Sequence, residues 1–298
     1  MSNDSSGHLH TVDELGLAEF EPIKEDALKI IEQLRGGAKQ RWRLPLVKSA
    51  ISGLYEKYHL NQTYKLSNEL KLCRVRKLVS CARESWLSSA DKLGPRKAEE
   101  VTDYGRCHHP QQSIGYFSPE ENIALSEVNA ELDDCISIAI YKLTENLIVV
   151  PIGELDFFRR TGQTRLGSAK PEASQPYSQI LDEPNGNLRA LVDAFFADEF
   201  IQRASTKTDY KITASISDLL LNDKNLETQI DAIFYPSVAF RDGYNFAIRP
   251  EFVKKNMKLV ETETKVVRIS EVLGYGIFKY DVLSTLRSVN TTGELEWA

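Results

Sequence analysis

The sequence predicts an α+β protein, and three observations carry the prediction. Apolar residues recur with a helical period before about residue 60, the period changes to two from Leu70, and strand and helix signals then interleave without the strict alternation of a doubly wound fold. A chain of 298 residues with 42% hydrophobic content can bury one sizeable core and a smaller second unit. It has no run of about 18 uninterrupted apolar residues, so no membrane span is expected.

Residues 1–20 are polar and aperiodic and are expected to be a disordered tail, with His8 and His10 solvated. The start has no apolar stretch after a basic one, which makes the cytoplasm the expected location. Residues 21–62 read as a helical hairpin. Ala27, Ile30, Ile31 and Leu34 share one helix face up to Gly36-Gly37, and Leu46, Ala50, Ile51, Leu54 and Tyr55 share another. The turn Lys39-Gln40-Arg41-Trp42-Arg43 mixes basic and aromatic residues as single-strand nucleic-acid surfaces do. A solvated loop with Trp42 tucked beneath it is the favoured reading. The formal net charge of −6 gives no reason to expect a nucleic-acid partner.

From Leu70 the alternation places Leu72, Arg74, Arg76 and Leu78 on one strand face and Cys73, Val75 and Val79 on the other. Arginines on an inward face must meet an anion or a carboxylate, or escape to water along their stems; Arg76 is expected to serve the surface. The stretch to Glu100 reads as a loop with one helical turn, and Ser113–Phe117 as a short strand. Ser118-Pro119-Glu120-Glu121 has the pattern of a capping box, with Ser118 and Glu121 bonding reciprocally and Pro119 at the first helical position. The helix that follows carries Glu127 on a stripe with Ile123, Ala124, Val128 and Ala130, where a buried carboxylate needs a partner. Further strands fit 136–141 and 147–151. Residues 160–187 read as a long irregular excursion, Asn187 as the cap of a helix to about Ala204, and Thr213 as the cap of a shorter one. Strands return at 230–235, 244–248, parts of 258–269, and 274–280.

The four cysteines, at 73, 81, 107 and 135, form no C-x-x-C pair and are expected to be reduced. Cys107-His108-His109, with Cys135 further on, holds potential metal ligands. Adjacent side chains diverge, however, so no metal site is expected, and the two histidines are placed in a loop near a pocket mouth. Dinucleotide-fold, P-loop, zincin and α/β-hydrolase signatures are all missing from the sequence. What remains is Arg74, Gly105-Arg106, a strand ending in Tyr116, a helix carrying Glu127, and Tyr235-Pro236-Ser237 at a strand end.

These pieces resemble the RES-domain family. Gly105-Arg106-Cys-His-His-Pro110, Tyr116-Phe117-Ser118 and Ala124-Leu125-Ser126-Glu127-Val128 are similar to its central motif. Ile233–Ser237 followed by Tyr244-Asn245-Phe246 is similar to its closing strand pair, and Leu72–Arg76 to its opening strand. The chain departs from the family pattern at His108, Gln111 and Cys73, where the family has Asn, Gly and an aromatic residue. The resemblance implies a RES domain over 68–285 with an ADP-ribosyltransferase-like core: a mixed or antiparallel sheet, flanking helices and the helical extension in front. It also implies NAD as substrate, with no separate cofactor, and cleavage of the nicotinamide–ribose bond by hydrolysis or by phosphorolysis with inorganic phosphate. In that reading Glu127, Arg74 and Ser237 are the catalytic candidates, and Arg106, Tyr116, Tyr235 and Asn245 bind NAD. Guanidiniums match phosphate geometry, and a carboxylate stabilises an oxocarbenium-like ribose. The biological expectation is a toxin restrained by a separate antitoxin protein, or a defence effector. A protein ADP-ribosyltransferase and an inactive RES-like interaction module are the alternatives. Without the resemblance, Glu127 and Arg74 read equally as an ion pair, Ser237 as a strand-end cap, and Tyr116 and Tyr235 as core.

Overall fold

A computed structural model describes residues 27–38, 41–58, 62–165, 175–183, 185–222, 229–240 and 242–298. The expected tail over 1–20 lies outside the described residues.

The first elements among the described residues are α1 (Ala27–Gln33), which widens into a π-helical turn at Leu34–Ala38, and α2 (Leu44–Tyr58). Strands β1 (Tyr64–Leu66), β2 (Lys71–Lys77) and β3 (Gly115–Phe117) lead to α3 (Glu121–Glu127), β4 (Cys135–Leu143) and β5 (Leu147–Pro151). Helices α4 (Glu154–Thr161), α5 (Gln175–Asp182), α6 (Gly186–Ile201) and α7 (Lys211–Leu221) then precede β6 (Ala232–Pro236) and β7 (Tyr244–Ile248). Helix α8 (Pro250–Asn256) and strands β8 (Met257–Leu259), β9 (Lys265–Gly274), β10 (Ile277–Val289) and β11 (Leu295–Trp297) complete the fold. The α+β class is as expected. One sheet has the order β1-β5-β6-β7-β3 and is mixed, since β5 and β6 run parallel. The other, β11-β10-β9-β4-β2 with β8 on β4, is antiparallel.

Strict alternation along the strands builds four layers. On β6, Ile233 and Tyr235 face the helices while Ala232 and Phe234 face the other sheet. On β4, Ala139 and Tyr141 face the first sheet while Ile136, Ile138 and Ile140 face α3, whose Ala124 and Leu125 cover them. The N-terminal helices do not stand apart: Ile30, Leu34, Val47, Ile51 and Leu54 share one buried cluster with α6, α7 and the first sheet. Trp42 is half-buried against that cluster, as expected. No helix among the described residues is long and apolar enough to cross a membrane.

Several expectations are corrected. The main unit extends beyond 68–285, because β1 pairs with β5, β10 runs on to Val289, and Trp297 of β11 closes the core between the sheets. The excursion at 160–187 contains the end of α4 and the whole of α5. Asn187 lies inside α6 and Thr213 inside α7; neither is a cap. Parts of 258–269 are strand as expected, in β8 and β9, whereas the expected strand over 274–280 begins with a turn, where Gly274, Tyr275 and Gly276 all have positive φ. Cys81 and Cys135 are disulfide-bonded with Cα atoms 5.2 Å apart, because the start of β4 lies beside the loop leaving β2, while Cys73 and Cys107 are free. Val79 lies beyond β2 and is fully exposed.

Because Leu54 is wholly buried in the shared cluster, Leu54→Ala is expected to cost about 2–5 kcal/mol. The loss should appear in thermal or denaturant unfolding as one shifted cooperative transition. A main transition that stays in place would contradict a common core.

Candidate active site

The two sheets meet edge to edge where Cys73 of β2 bridges Ser118, the residue after β3. Cys73 N–H donates to the Ser118 carbonyl at 2.7 Å and Ser118 N–H to the Cys73 carbonyl at 2.9 Å. Beside this junction opens a cleft of about 1090 Å³. Seven basic side chains line it, Arg74, Arg76, Arg96 and Arg106 among them, against the three carboxylates of Glu100, Asp103 and Glu127.

Glu127 is the last residue of α3 and is exposed to the cleft, so it does not sit on a buried stripe as expected; Ala130 lies past the helix. Its Oε1 accepts from Ser237 Oγ–H at 2.5 Å and from Asn245 Nδ2 at 2.7 Å. Ser237 Oγ in turn accepts from the backbone N–H groups of Ala239 (3.2 Å) and Phe240 (3.0 Å), which leaves its single proton for Glu127. Asn245, 3% exposed on β7, has its carbonyl oxygen held by the hydroxyl of Ser118 at 2.5 Å, so its amide must present N–H to Glu127. Oε2 of Glu127 has no protein partner among the described residues. The carboxylate is thus clamped on one oxygen and open on the other.

This network also explains why the capping box does not form. Ser118 is held in extended backbone by the Cys73 bridge and its hydroxyl goes to Asn245. Glu121 pairs with Lys265 at 2.8 Å and accepts from the Tyr280 hydroxyl at 2.6 Å, and the helix begins only at Glu121, with Glu120 as its uncapped N-cap.

Arg74 makes no ion pair with Glu127 among the described residues. Its Nη1 reaches the Tyr116 carbonyl at 3.4 Å, while its Nε is buried without a partner. Burial, with Arg76 beside it, lowers its pKa to about 10, which leaves it charged at neutral pH. Arg76, expected at the surface, instead lines the cleft: Nη2 donates to the Gly94 carbonyl at 2.7 Å and Nε is buried unpartnered. Its shared face with Arg74 was the signal for this placement.

Arg106 lines the cleft from the far side, with much of its guanidinium engaged. Nη1 donates to the carbonyls of Phe200 and Gln202 at the C-terminal end of α6, where a cation is favoured, and the group lies 5.1 Å from the Tyr210 ring. Tyr116 and Tyr235 both reach the cleft and pack into the helix-side core, Tyr235 with its ring 5.2 Å from that of Phe200. Burial holds both phenols well above their ordinary range.

The Tyr116 hydroxyl accepts from Cys107 N–H at 2.9 Å and lies 2.7 Å from His108 Nδ1. With the phenol protonated, its proton goes to Nδ1 and the imidazole carries its own on Nε2. Burial, followed by neighbouring His109, lowers the His108 pKa to about 4. Gly105 makes room for this ring, since a Cβ there would overlap His108. His109 lies in a loop as expected, but it is buried beside Tyr104, with Nε2 4.0 Å from Asp218, and does not line the cleft. Cys107 is buried, which pushes its thiol up to about 12, and among the described residues no group of His, Cys, Asp and Glu has a metal-holding arrangement.

The structure therefore gathers Glu127, Ser237 and Asn245 into one hydrogen-bonded unit and places Arg74, Arg106, Tyr116 and Tyr235 on the walls of the same cleft. Sequence reasoning missed the site roles of Ser118, Arg76 and Arg96, whereas His108, expected near a pocket mouth, does line the cleft. No protein-family model matches the chain, and no curated protein matches it.

A group whose pKa falls from 6.5 to about 4 on folding stays neutral while the unfolded chain takes up its proton. His108 should therefore lower stability progressively as the pH drops from 6.5 toward 4, a slope that His108→Asn should reduce by about one proton. Thermal unfolding of both proteins across that window checks it. An unchanged slope would show that the imidazole titrates normally.

Proposed function

We propose that the chain is a RES-type enzyme that cleaves the nicotinamide–ribose bond of NAD, by hydrolysis or by phosphorolysis. One observation carries the reading: a carboxylate held on one oxygen by Ser237 and Asn245 and open on the other, inside a cleft whose charged side chains are mainly cations. A cationic wall suits an anionic ligand, and a cleft of about 1090 Å³ has room for a dinucleotide.

In this mechanism the bond between C1′ of the ribose and the nicotinamide nitrogen breaks and its electron pair leaves with neutral nicotinamide. The positive charge that develops over C1′ and the ring oxygen is stabilised by the fixed charge of Glu127. Water or inorganic phosphate then attacks C1′; in hydrolysis, the proton of the water passes to solvent. Ser237 and Asn245 are positioning residues that hold the carboxylate in place before the charge appears. Arg74 and Arg76, which both line the cleft, meet the pyrophosphate. Arg106 shapes the opposite wall. Tyr116, tied to Cys107 and His108, and Tyr235 supply aromatic surface for the nicotinamide end. A toxin held in check by an antitoxin protein is the biological role proposed with this activity.

Incubation with NAD, with and without phosphate, is expected to release nicotinamide and leave no ADP-ribose on protein. Glu127→Gln should lower kcat by about 10²–10³-fold, the scale of losing one preorganised electrostatic group. Arg74→Met should act chiefly on KM. No turnover by wild type, or full turnover by Glu127→Gln, would overturn the proposal, and label retained on protein would point to transfer instead. Growth arrest on expression, relieved by Glu127→Ala, is the expected outcome for a toxin.

A further inference from the structure

Six of the ten large hydrophobic side chains exposed among the described residues fall on one hairpin, β9–β10: Val272, Leu273, Tyr275, Ile277, Val282 and Leu283. Such a concentration is unusual on a surface that only meets water. The same hairpin carries an open sheet edge. β11 pairs with β10 only at Leu286–Val289, and the backbone of 277–283 has no further strand beside it among the described residues. The irregularities in its pairing with β9 between Ile277 and Phe278 and between Lys279 and Tyr280 skip residues of β9, so Ile277–Val282 runs unbroken.

Charges usually protect an edge of this kind, and Lys279 would serve that purpose against most strands. Against one partner it does not. If the segment pairs antiparallel with a copy of itself, centred on Tyr280, Lys279 of each chain stands opposite Asp281 of the other. The same register sets Phe278 opposite Val282, and the segment ends at Leu283, which bulges out of the pairing with β9. The segment is complementary to itself in charge and in apolar pairing, as a two-fold interface requires. We infer that this edge takes a second copy of the chain, giving a dimer whose six-stranded sheets join through paired β10 strands.

Lys279 and Asp281 can exchange their present partners for these at little cost. Their own-chain ion pairs, to Glu271 at 2.9 Å and Arg268 at 3.0 Å, are half-exposed and worth little. The inference does not depend on the proposed chemistry, since none of these residues lines the cleft.

Light scattering or sedimentation of the full chain in the micromolar range tests it. Wild type is expected at twice the chain mass. Asp281→Lys places lysine opposite lysine, and Lys279→Glu places acid opposite acid; each should weaken self-association at least about tenfold and run at a single chain mass, with unchanged circular dichroism. Mixed in equal amounts, the two variants again set a base opposite an acid at both charged positions of the register, and the doubled mass should return. That rescue separates lost pairing from lost folding. A wild type of single mass, a doubled mass that survives both substitutions, or a mixture that fails to reassociate would overturn the inference.

Discussion

Two backbone hydrogen bonds between Cys73 and Ser118 hold the two sheets together at the cleft, and the site depends on them. Both residues are buried, so these bonds are not in competition with water. They set the edge of the antiparallel sheet against the end of β3. One consequence is that Arg74, the next residue along β2, lies beneath the Tyr116 carbonyl. The other is that the Ser118 hydroxyl, its backbone fixed, meets Asn245 on the neighbouring strand. From there the hydrogen bonds continue through the Asn245 amide to Glu127. A link between sheets thus becomes the orientation of a carboxylate.

Charge is distributed in the opposite sense to the whole molecule. The chain has a net charge of −6, yet seven basic side chains face only three acidic ones in the cleft. Arg74 and Arg76 keep buried Nε groups unpartnered, and burial lowers the pKa of both, with Arg76 adding to it for Arg74 and Arg96 for Arg76, an arrangement that an anion would relieve. Glu127 does not supply that relief within the protein, because its bonds go to Ser237 and Asn245. Cations and carboxylate are held apart, and a ligand that is anionic along its length and becomes cationic at one atom fits both.

Where neighbours in sequence decide the structure, the sequence was legible. The alternation around Leu72–Arg76, the strands expected at 230–235 and 244–248, and the helical stripe through Ile51 and Leu54 correspond to β2, β6, β7 and α2. Where distant residues decide, it was not. Ser-Pro-Glu-Glu at 118–121 has every local property of a helix cap, and the bridge to Cys73 overrides it. Helix α4 escaped notice because its first turn buries Glu154 and Asp156 instead of an apolar stripe. Glu154 is held by Arg165 at 3.0 Å, and Asp193, whose pKa burial raises to about 6, receives the N–H groups of Gly153 and Asp156. The Cys81–Cys135 pair spans 54 residues and has no local signature. Of the site, the positions of Glu127, Ser237 and Asn245 were legible through the family resemblance, whereas Ser118 became visible only once β3 and β7 lay side by side.

The central claim is that Ser237 and Asn245 act through Glu127. A double-mutant cycle on nicotinamide release, combining Asn245→Ala with Glu127→Asp, addresses it directly. Shortening the carboxylate by one methylene takes it out of reach of the Asn245 amide. The account predicts that the double variant is no slower than Glu127→Asp alone. Losses that multiply would mean that Asn245 works independently of the carboxylate, and would contradict it.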